Sequence, residues 1–451
     1  MIYENTIDKA TKIAQLVHER GGAAYFVGGF VRDFLMGREN KDIDIEVHGI
    51  YPEVLEKILD SVGGRIEIGK SFGVYSLCGR NIDIAMPRME TATGRGHRDF
   101  KIFVDPFIGT KKAAMRRDFT VNAIMKDILT GEIIDHFGGV KDLKEGVLRH
   151  VNDDAFGEDP LRVLRAAQFA ARFGFDITPE TISLCKNIDL STLSSERVLE
   201  ELKKALLKAE KPSVFFETLR SMEQLSVWFP EVEKLIGIKQ HSVHHEEGDV
   251  WTHTMMVLDE AAKKREHAKS PFYFMLSALV HDFGKITATQ FFKGDYHAYG
   301  HETQGLYTVK RFVSRLTNEN ALSSYALNMT ELHMKPRILA DDNSSVKATN
   351  RMFDSAISPN DLILLALCDG LGKIPQKPSR ETEAFLRKRL EVFEEYMSRP
   401  HVTGQDLIDA GIKPGRNFSQ ILAYAHKLRL AGVMKETALS CVLGYVQEKN
   451  L

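Results

Sequence analysis

Residues 25–47, with the sequence YFVGGFVRDFLMGRENKDIDIEV, decide the fold of this chain. The first three residues are apolar and predict a short buried strand, and the two glycines that follow allow a turn that no side chain crowds. Residues 30–36 predict a helix that Gly37 ends. In the next strand aspartates alternate with isoleucines, so Asp42 and Asp44 should project from one face.

The two aspartates and the glycine turn together predict chemistry on a phosphate group. Two carboxylates a dipeptide apart repel each other, and a divalent cation is the usual reason for a protein to keep such a pair. The backbone N–H groups of Gly28 and Gly29, with the guanidinium of Arg32, can hold phosphates. Aspartates in a surface strand are common, but the strand–turn–helix–strand order around this pair favours nucleotidyl transfer.

Length and composition indicate a globular protein of several domains. The 451 residues allow two to four domains, and the content of 43% apolar and 27% charged residues is ordinary. A formal net charge of −2 excludes a general basic field, so any RNA site has to be a local patch. The four cysteines lack CxxC spacing, which argues against a disulfide framework or a zinc ribbon. Because we see neither a signal peptide nor an apolar run near ~20 residues, we expect a cytoplasmic protein without a membrane partner.

The sequence GGFVRD at residues 28–33, followed by DID at residues 42–44, resembles the first motif of the class II tRNA nucleotidyltransferases. This family includes the CCA-adding enzymes and bacterial poly(A) polymerases, and it belongs to the polymerase-β-like nucleotidyltransferases. The resemblance covers nearly the whole chain. It implies an α/β head domain followed by largely α-helical neck, body and tail domains. It also implies that Asp42 and Asp44 are catalytic and hold two Mg²⁺ ions.

A third carboxylate belongs to the same centre if two strands are neighbours. Residues 81–86, NIDIAM, predict an alternating strand that carries Asp83. The family has an acidic residue at this place, which implies that Asp83 assists Asp42 and Asp44. From the residues alone, an aspartate such as Asp83 is more often a solvent-facing strand residue.

RRDFTVNAI, at residues 116–124, matches the second motif of the family. The match implies that Arg117 faces the triphosphate, that Asp118 accepts a ribose hydroxyl and that Asn122 contacts the sugar-phosphate. A basic helix start with a buried apolar side would look similar. Residues 89–110 are rich in glycine, threonine and charge, and they fall where the family carries a flexible loop. An ordinary solvated hairpin explains that segment as well.

A base-recognition motif is predicted in FGEDPLRVLRAAQFAARF, at residues 156–173. The apolar spacing predicts one helix, and EDxxR of the family implies base contacts for Asp159 and Arg162, with Arg165 one turn further. A carboxylate acceptor beside a guanidinium donor complements the Watson–Crick edges of cytosine and adenine and disfavours uracil and guanine. As the simpler alternative, Asp159 caps a helix whose first residue is Pro160.

Histidines and aspartates on separate apolar helices predict a second metal centre in residues 240–372. Imidazole with carboxylate suits a transition metal such as Ni²⁺, Mn²⁺, Co²⁺ or Fe²⁺. The pattern resembles the HD-superfamily phosphohydrolases, which implies hydrolysis of phosphate esters. Four side chains match the defining ligands, and two further histidines match those of a second ion in some members: His253, His281, Asp282 and Asp369, then His301 and His333.

We therefore predict an enzyme that builds or repairs the 3′-terminal CCA of tRNA from CTP and ATP, with an added phosphatase or 2′,3′-cyclic phosphodiesterase activity. Its four domains would be the nucleotidyltransferase head (residues 1–150), the helical neck and body (151–238), the HD domain (239–375) and the helical tail (376–451). An A-adding, CC-adding or poly(A) enzyme is an alternative within the family. A different class of alternative is an HD hydrolase with a non-catalytic RNA-binding head. The sequence does not distinguish a monomer from a homodimer.

Overall fold

The chain forms two compact units. The computed structural model describes residues 2–69, 73–79, 81–92, 100–241, 245–375 and 380–449. Residues 1–201 and 214–228 form the first unit, here called the sheet unit, and residues 202–213 and 229–451 form the second, the helical unit. The finer division into four domains stays a prediction.

The sheet unit is built on a mixed seven-stranded sheet. The strands of this unit are β1 (Ala23–Val27), β2 (Ile43–His48), β3 (Arg65–Gly69), β4 (Val74–Leu77), β5 (Ile82–Ala85), β6 (Arg88–Ala92), β7 (Phe100–Val104), β8 (Met125–Asp127), β9 (Ile133–Ile134), β10 (Val147–Leu148) and β11 (Asp176–Ile177). Seven of them form the sheet, whereas β6 pairs only with β7 and β10 only with β11. The sheet order is β3–β4–β5–β2–β1–β8–β9. Strands β2 and β5 run parallel, whereas β1 is antiparallel to both β2 and β8.

Helices cover this sheet and continue beyond it. They are α1 (Ile2–His18), α2 (Gly29–Leu35), α3 (Pro52–Val62), α4 (Thr110–Met115), α5 (Gly139–Glu145), α6 (Asp153–Gly157), α7 (Leu161–Phe173), α8 (Pro179–Lys186), α9 (Ser195–Lys208), α10 (Ser213–Ser221) and α11 (Leu225–Trp228). Apolar side chains of α1 and α3 join the isoleucines of β2 and β5 in one buried core. The opposite face of these two strands is left to the aspartates that alternate with the isoleucines.

In the described part of the helical unit, β12 (Gln290–Phe292) and β13 (Asp295–His297) form a small hairpin. Its helices are α12 (Pro230–Glu233), α13 (Val250–Lys264), α14 (Pro271–Val280), α15 (Lys285–Ala288), α16 (His301–Gln304), α17 (Leu306–Leu316), α18 (Asn320–Leu332), α19 (Lys335–Asp341), α20 (Val346–Ser355), α21 (Pro359–Leu371), α22 (Arg380–Ser398), α23 (Gly404–Asp409), α24 (Phe418–Leu430) and α25 (Lys435–Lys449). Helices α13, α14, α18 and α21 pack on one another. None of the described helices is both long enough and apolar enough to cross a membrane.

The predicted fold class is confirmed, because a mixed-sheet head precedes a largely helical remainder. The single helix predicted for residues 156–173 is wrong. The chain forms α6 and then α7, since Pro160 disfavours helical backbone in the residue before it. Helix α5 was also missed, although the carboxylate of Asp135 accepts from the backbone N–H groups of Gly139 and Val140 at its start.

The segment 89–110 includes an antiparallel pair of strands. Strands β6 and β7 pair from Arg88 with Val104 to Ala92 with Phe100. Residues 93–99, the central part of the predicted flexible loop, lie outside the described residues.

Candidate functional site

Three carboxylates meet on one face of the sheet, where the central strands β2 and β5 begin, and this place is here called the acidic edge: Asp42, Asp44 and Asp83. Asp44 on β2 and Asp83 on β5 are direct partners in the parallel register, and Asp42 lies just before β2. Burial raises the pKa of Asp44, the charge of Arg117 lowers it, and the charges of Asp83 and Asp42 raise it again, so the net shift is upward. A divalent cation would relieve this repulsion, and carboxylate oxygens are the ligands that Mg²⁺ prefers.

The glycine turn holds a guanidinium against the acidic edge. Gly28 has a φ of +64°, and a Cβ atom built there would lie 3.1 Å from Nη1 of Arg117 and 3.7 Å from Oδ2 of Asp44. Nη2 of Arg117 donates to Oε2 of Glu46 at 3.1 Å, and the Arg117 side chain is 31% exposed. The turn therefore needs glycine for its backbone conformation and for the room that Arg117 occupies.

Four of the other predicted nucleotide-binding residues, Arg32, Asp118, Asn122 and Arg165, form one hydrogen-bonded network. Nη1 of Arg32 donates to Oδ1 of Asn122 at 2.7 Å, and Nδ2 of Asn122 donates to Oδ1 of Asp118 at 2.9 Å. Nε of Arg165 donates to Oδ2 of Asp118 at 2.7 Å. Beside the turn, a Cβ at Gly29 would lie 3.5 Å from Nη2 of Arg32. The network ties the first two motifs to helix α7.

Asp118 is held as an anion inside this network. Burial raises its pKa, but the charge of Arg165 and hydrogen bonds from Asn122, Arg165 and the Phe119 backbone outweigh burial, so the pKa lies below its usual value. Each carboxylate oxygen already accepts hydrogen bonds within the protein. The geometry therefore gives Asp118 a positioning role, and its contact with a ribose hydroxyl stays a prediction.

Asp159 and Arg162 have separate partners. Nη2 of Arg197 donates to both carboxylate oxygens of Asp159, at 3.0 and 2.9 Å, and Oδ1 also accepts from the backbone N–H of Leu161. Arg162 donates from Nη1 to the carbonyl of Ala155 at 2.6 Å, and from Nη2 to the carbonyl of Arg116 at 2.7 Å. Asp159 thus supports the start of α7, as the simpler alternative required, while Arg197 orients its carboxylate. Arg197 was not among the residues predicted from the sequence.

All six predicted ligands of the second metal centre come together in the helical unit. Their ligand atoms form two groups, each within 4.8 Å: His253, His281 and Asp369 in one, and Asp282, His301 and His333 in the other. Nε2 of His301 lies 3.2 Å from Nε2 of His333 and 3.2 Å from Oδ1 of Asp282. Oδ2 of Asp282 lies 3.4 Å from Nε2 of His253. Asp282 therefore stands between the two groups.

The four histidines are oriented alike. Each directs Nδ1 at a backbone carbonyl: His253 at Gly372 (3.0 Å), His281 at Ala278 (2.8 Å), His301 at Ala298 (2.8 Å) and His333 at Thr330 (2.7 Å). Donation from Nδ1 assigns the proton to that atom and leaves the lone pair of Nε2 for a metal. Three of the carbonyls lie three residues before the histidine. For His281 and His333 these belong to the last turns of α14 and α18, where helix carbonyls lack helical partners.

Buried polar atoms in this cluster lack hydrogen-bond partners. Among the described residues, Nε2 of His253 and Nε2 of His281 have no hydrogen-bond partner. Buried polar atoms are normally satisfied, so two such atoms in one cluster fit a metal centre. The donor set of imidazole nitrogens and carboxylate oxygens suits a transition metal.

Two lysines keep the carboxylates of the cluster ionised. Nζ of Lys285 lies 2.7 Å from Oδ2 of Asp282, and Nζ of Lys373 lies 3.1 Å from Oδ2 of Asp369. Burial raises the pKa of each aspartate, but the lysine charge and the histidines outweigh it and hold both pKa values well below the usual range. Burial lowers the pKa of His333 to about 3. Anionic aspartate and neutral imidazole are the forms that bind metal.

A further carboxylate, Glu247, was missed in the sequence analysis. Its side chain is fully buried, and Oε1 lies 2.6 Å from Nδ1 of His245 and 3.3 Å from Nδ1 of His253. Burial raises the pKa of Glu247, but hydrogen bonds with His245 and His253 lower the pKa by a larger amount, so the net shift is downward. A cavity of about 190 Å³ opens beside the cluster, and Asp282, His301 and Asp369 contribute to its wall.

Family models match two stretches of the chain. The Poly A polymerase head domain matches residues 24–149, and the probable RNA and SrmB-binding site of polymerase A matches residues 174–236. A Multifunctional CCA protein of Actinobacillus pleuropneumoniae is 37% identical over 317 residues, covering 68% of this chain and 74% of that protein. The Multifunctional CCA protein of Nitrosospira multiformis is 39% identical over 313 residues, covering 68% and 72%.

The fold is shared with a solved structure. The Thermotoga maritima CCA-adding enzyme complexed with tRNA has a TM-score of 0.65 to this chain at 21% identity, covering 99% of both chains. On the strength of the two relatives, this chain belongs to the family of class II tRNA nucleotidyltransferases that contains the CCA-adding enzymes.

Proposed function

We propose that the sheet unit adds the 3′-terminal CCA to tRNA from CTP and ATP without a nucleic-acid template. The pairing of Asp44 with Asp83 beside the Gly28 turn carries this proposal, because it combines clustered carboxylates with a guanidinium on one face of the sheet. The names of the curated relatives and the tRNA complex of the Thermotoga maritima enzyme support it. The cytoplasm stays the expected compartment.

The residues of the acidic edge fit Mg²⁺, with Asp42 and Asp44 as ligands and Asp83 as the third carboxylate. When bound, Mg²⁺ ions lower the pKa of an attacking 3′ hydroxyl and stabilise a leaving pyrophosphate. Arg117, with its partly exposed guanidinium, would bind the triphosphate together with the backbone of Gly28. The buried guanidinium of Arg32 would hold Asn122 in place, and its direct contact with phosphate stays a prediction.

Base choice would rest on one carboxylate and one guanidinium of helix α7. We propose that Asp159 accepts from the amino group of cytosine or adenine and that Arg162 donates to the neighbouring ring nitrogen. Uracil and guanine present an acceptor where these bases present a donor, so they would leave Asp159 without a partner. Arg197 would keep the Asp159 carboxylate in one orientation for both bases.

We further propose that the helical unit hydrolyses phosphate esters, as a phosphatase or a 2′,3′-cyclic phosphodiesterase that clears damaged RNA 3′ ends. Four histidines that direct Nδ1 at carbonyls carry this proposal, together with the buried, unsatisfied Nε2 atoms of His253 and His281. When bound, a metal such as Ni²⁺, Mn²⁺, Co²⁺ or Fe²⁺ activates water and neutralises phosphate charge. Lys285 and Lys373 would keep Asp282 and Asp369 anionic.

Two single variants test the assignment of two chemistries to two centres. Asp42→Ala should abolish nucleotide addition and spare hydrolysis of adenosine 2′,3′-cyclic phosphate, whereas Asp282→Ala should do the reverse. Loss of both activities in either variant would refute the two-centre account. Normal addition by Asp42→Ala would remove Asp42 from the catalytic site, and hydrolysis without any addition by the unmodified protein would support the rival class, a hydrolase with a non-catalytic RNA-binding head.

A further inference from the structure

Aromatic side chains stand exposed on the hairpin of β12 and β13 and on the residues that follow it. Phe291 is 65% exposed, Phe292 is 53% exposed and Tyr299 is 74% exposed. Phe291 pairs with Tyr296 across the hairpin, and their ring centroids lie 5.1 Å apart. Water-exposed rings gathered on one short segment indicate a binding surface.

This segment forms part of the wall of the cavity beside the proposed metal centre. Tyr296, His297 and Tyr299 line the same cavity as the predicted metal ligands Asp282 and His301. Tyr299 also precedes His301 by only two residues. A molecule whose phosphate reaches the metal ligands would therefore pass these rings.

One face of the Tyr299 ring packs against another aromatic side chain. It stacks on the ring of His297 with a centroid distance of 5.2 Å and an interplanar angle of 7°. The ring of His241 meets His297 edge-on at 5.3 Å, and Phe292 meets it at 6.4 Å. Tyr299 thus has one ring face fixed against His297, while most of its surface is open to solvent.

The cavity is too small to hold the base of a nucleotide together with its phosphate and sugar. Its volume of about 190 Å³ is below the roughly 300 Å³ at which pockets enclose a whole drug-sized ligand. Phosphate and sugar fit such a space, but a nucleobase would have to lie at the mouth. There the exposed side of Tyr299 offers a flat apolar surface, and Lys239 adds a positive charge to the cavity wall.

We propose that Tyr299, backed by His297, is a stacking platform for the base of the nucleotide whose phosphate enters the cavity. The substrates would then be nucleotides with an accessible base, such as an RNA 3′ end, rather than phosphate esters in general. This inference rests on the proposed phosphohydrolase function. Stacking on an aromatic ring accepts any base, because every base has a π-face, so cytidine and adenosine substrates should be bound alike.

Two substrates with the same cyclic phosphate test the platform. Cytidine 2′,3′-cyclic phosphate carries a base, and methyl riboside 2′,3′-cyclic phosphate does not. Tyr299→Ala should raise KM for the cytidine substrate about 10-fold, leave kcat within about 2-fold and leave the base-free substrate unchanged. Tyr299→Phe should restore the KM, because the ring remains. Tyr307→Ala is the matched control, since Tyr307 is 71% exposed on α17 and does not line the cavity.

Equilibrium binding of cytidine 3′-monophosphate keeps the platform testable apart from hydrolysis. Tyr299→Ala should weaken this binding about 10-fold relative to the unmodified protein and to Tyr307→Ala, without affecting ribose 3-phosphate. If no variant hydrolyses either cyclic substrate, the phosphohydrolase function fails, but the binding comparison still decides about the platform. Unchanged binding in Tyr299→Ala, or equal loss for the ligands with and without a base, would overturn the platform.

Discussion

Asp44 and Asp83 face each other across the parallel strands β2 and β5, while the isoleucines beside them are buried in the core of the sheet unit. The register between β2 and β5 therefore determines both where the aspartates lie and where the isoleucines pack. A slip by one residue would carry the aspartates into the core and the isoleucines into water, so the packing of Ile45 and Ile84 stabilises the arrangement of the carboxylates. The acidic edge depends on the core behind it.

Asp83→Asn tests the third carboxylate. Since the amide keeps the shape but loses the charge, we expect addition of CTP and ATP to fall roughly 100-fold or more, with folding unchanged. Steady-state addition assays and a thermal unfolding curve provide the measurement. Asp176→Asn changes an exposed aspartate of β11 and should leave addition unaffected. Equal activity of the two variants would remove Asp83 from the site.

Gly28→Ala tests the room that Arg117 needs. Its matched control is Gly37→Ala, because Gly37 has a similar φ of +67° but nothing within 4 Å of a built Cβ. Both variants should lose about 1 kcal/mol of unfolding free energy through backbone strain. Only Gly28→Ala should also raise the KM for CTP and ATP, since its methyl group crowds the guanidinium. If both variants raise KM alike, the strain and not the contact is responsible.

Asp118→Asn tests the buried network through pH. The folded pKa lies below the unfolded value of about 3.9, so the ionised carboxylate adds stability at neutral pH that is lost as pH falls through the folded pKa. We expect the variant to lose about 2 kcal/mol of unfolding free energy at pH 7, and the difference to shrink below about pH 4. Urea unfolding of both proteins across this pH range measures the difference in unfolding free energy. Asp60→Asn, on the exposed side of α3, should lose less than about 0.5 kcal/mol. A difference independent of pH would contradict the ionised network.

Arg197→Ala tests the orientation of Asp159. Without its partner the carboxylate can rotate, so misincorporation of UMP and GMP should rise and the KM for CTP and ATP should increase together. Incorporation assays with single nucleotides provide the readout. Lys208→Ala removes an exposed charge from the same helix and serves as control. If Arg197→Ala selects bases normally, Asp159 is limited to its contact with the start of α7.

Metal content tests the helical centre. The two ligand groups predict up to two bound transition-metal ions per chain, and His333→Gln should lower the content by one while His253→Gln affects the other group. Elemental analysis of the purified protein measures the content, with His267→Gln, an exposed histidine, as control. Chelation followed by Mg²⁺ should abolish hydrolysis and preserve nucleotide addition. Normal metal content in both ligand variants would contradict the centre.

The local parts of this structure could be predicted from the sequence. The strand, glycine turn and helix around Gly28 follow from short-range preferences, and alternation alone puts Asp42 and Asp44 on one face. Five of the six predicted ligands of the helical centre could also be singled out, because they follow or interrupt apolar helices that have little other use for a histidine or aspartate, whereas His301 begins a short polar helix.

Partners that depend on tertiary structure could not be predicted. Arg197 meets Asp159 from a helix far along the chain, and Glu247 reaches His253 from a loop whose composition resembles a solvated surface. The helical apolar spacing begins only at Leu161, after Pro160, so it does not support the inclusion of residues 156–160 in the predicted helix. The missing N–H of Pro160 and the restricted residue before it separate the two helices.

Nucleotide addition to three tRNA transcripts, ending before CCA, after C and after CC, tests the central claim most directly. Each transcript is incubated with the protein, Mg²⁺ and CTP, ATP or both, and the 3′ ends are sequenced. The account predicts that with both nucleotides every transcript grows to CCA and then stops, that CTP alone extends the first two transcripts only to CC, and that ATP alone extends only the transcript that already ends in CC. Addition of A alone, of CC alone or of a long A tail would contradict CCA synthesis and point to another member of the family. No addition to any transcript would contradict the assignment of catalysis to the acidic edge.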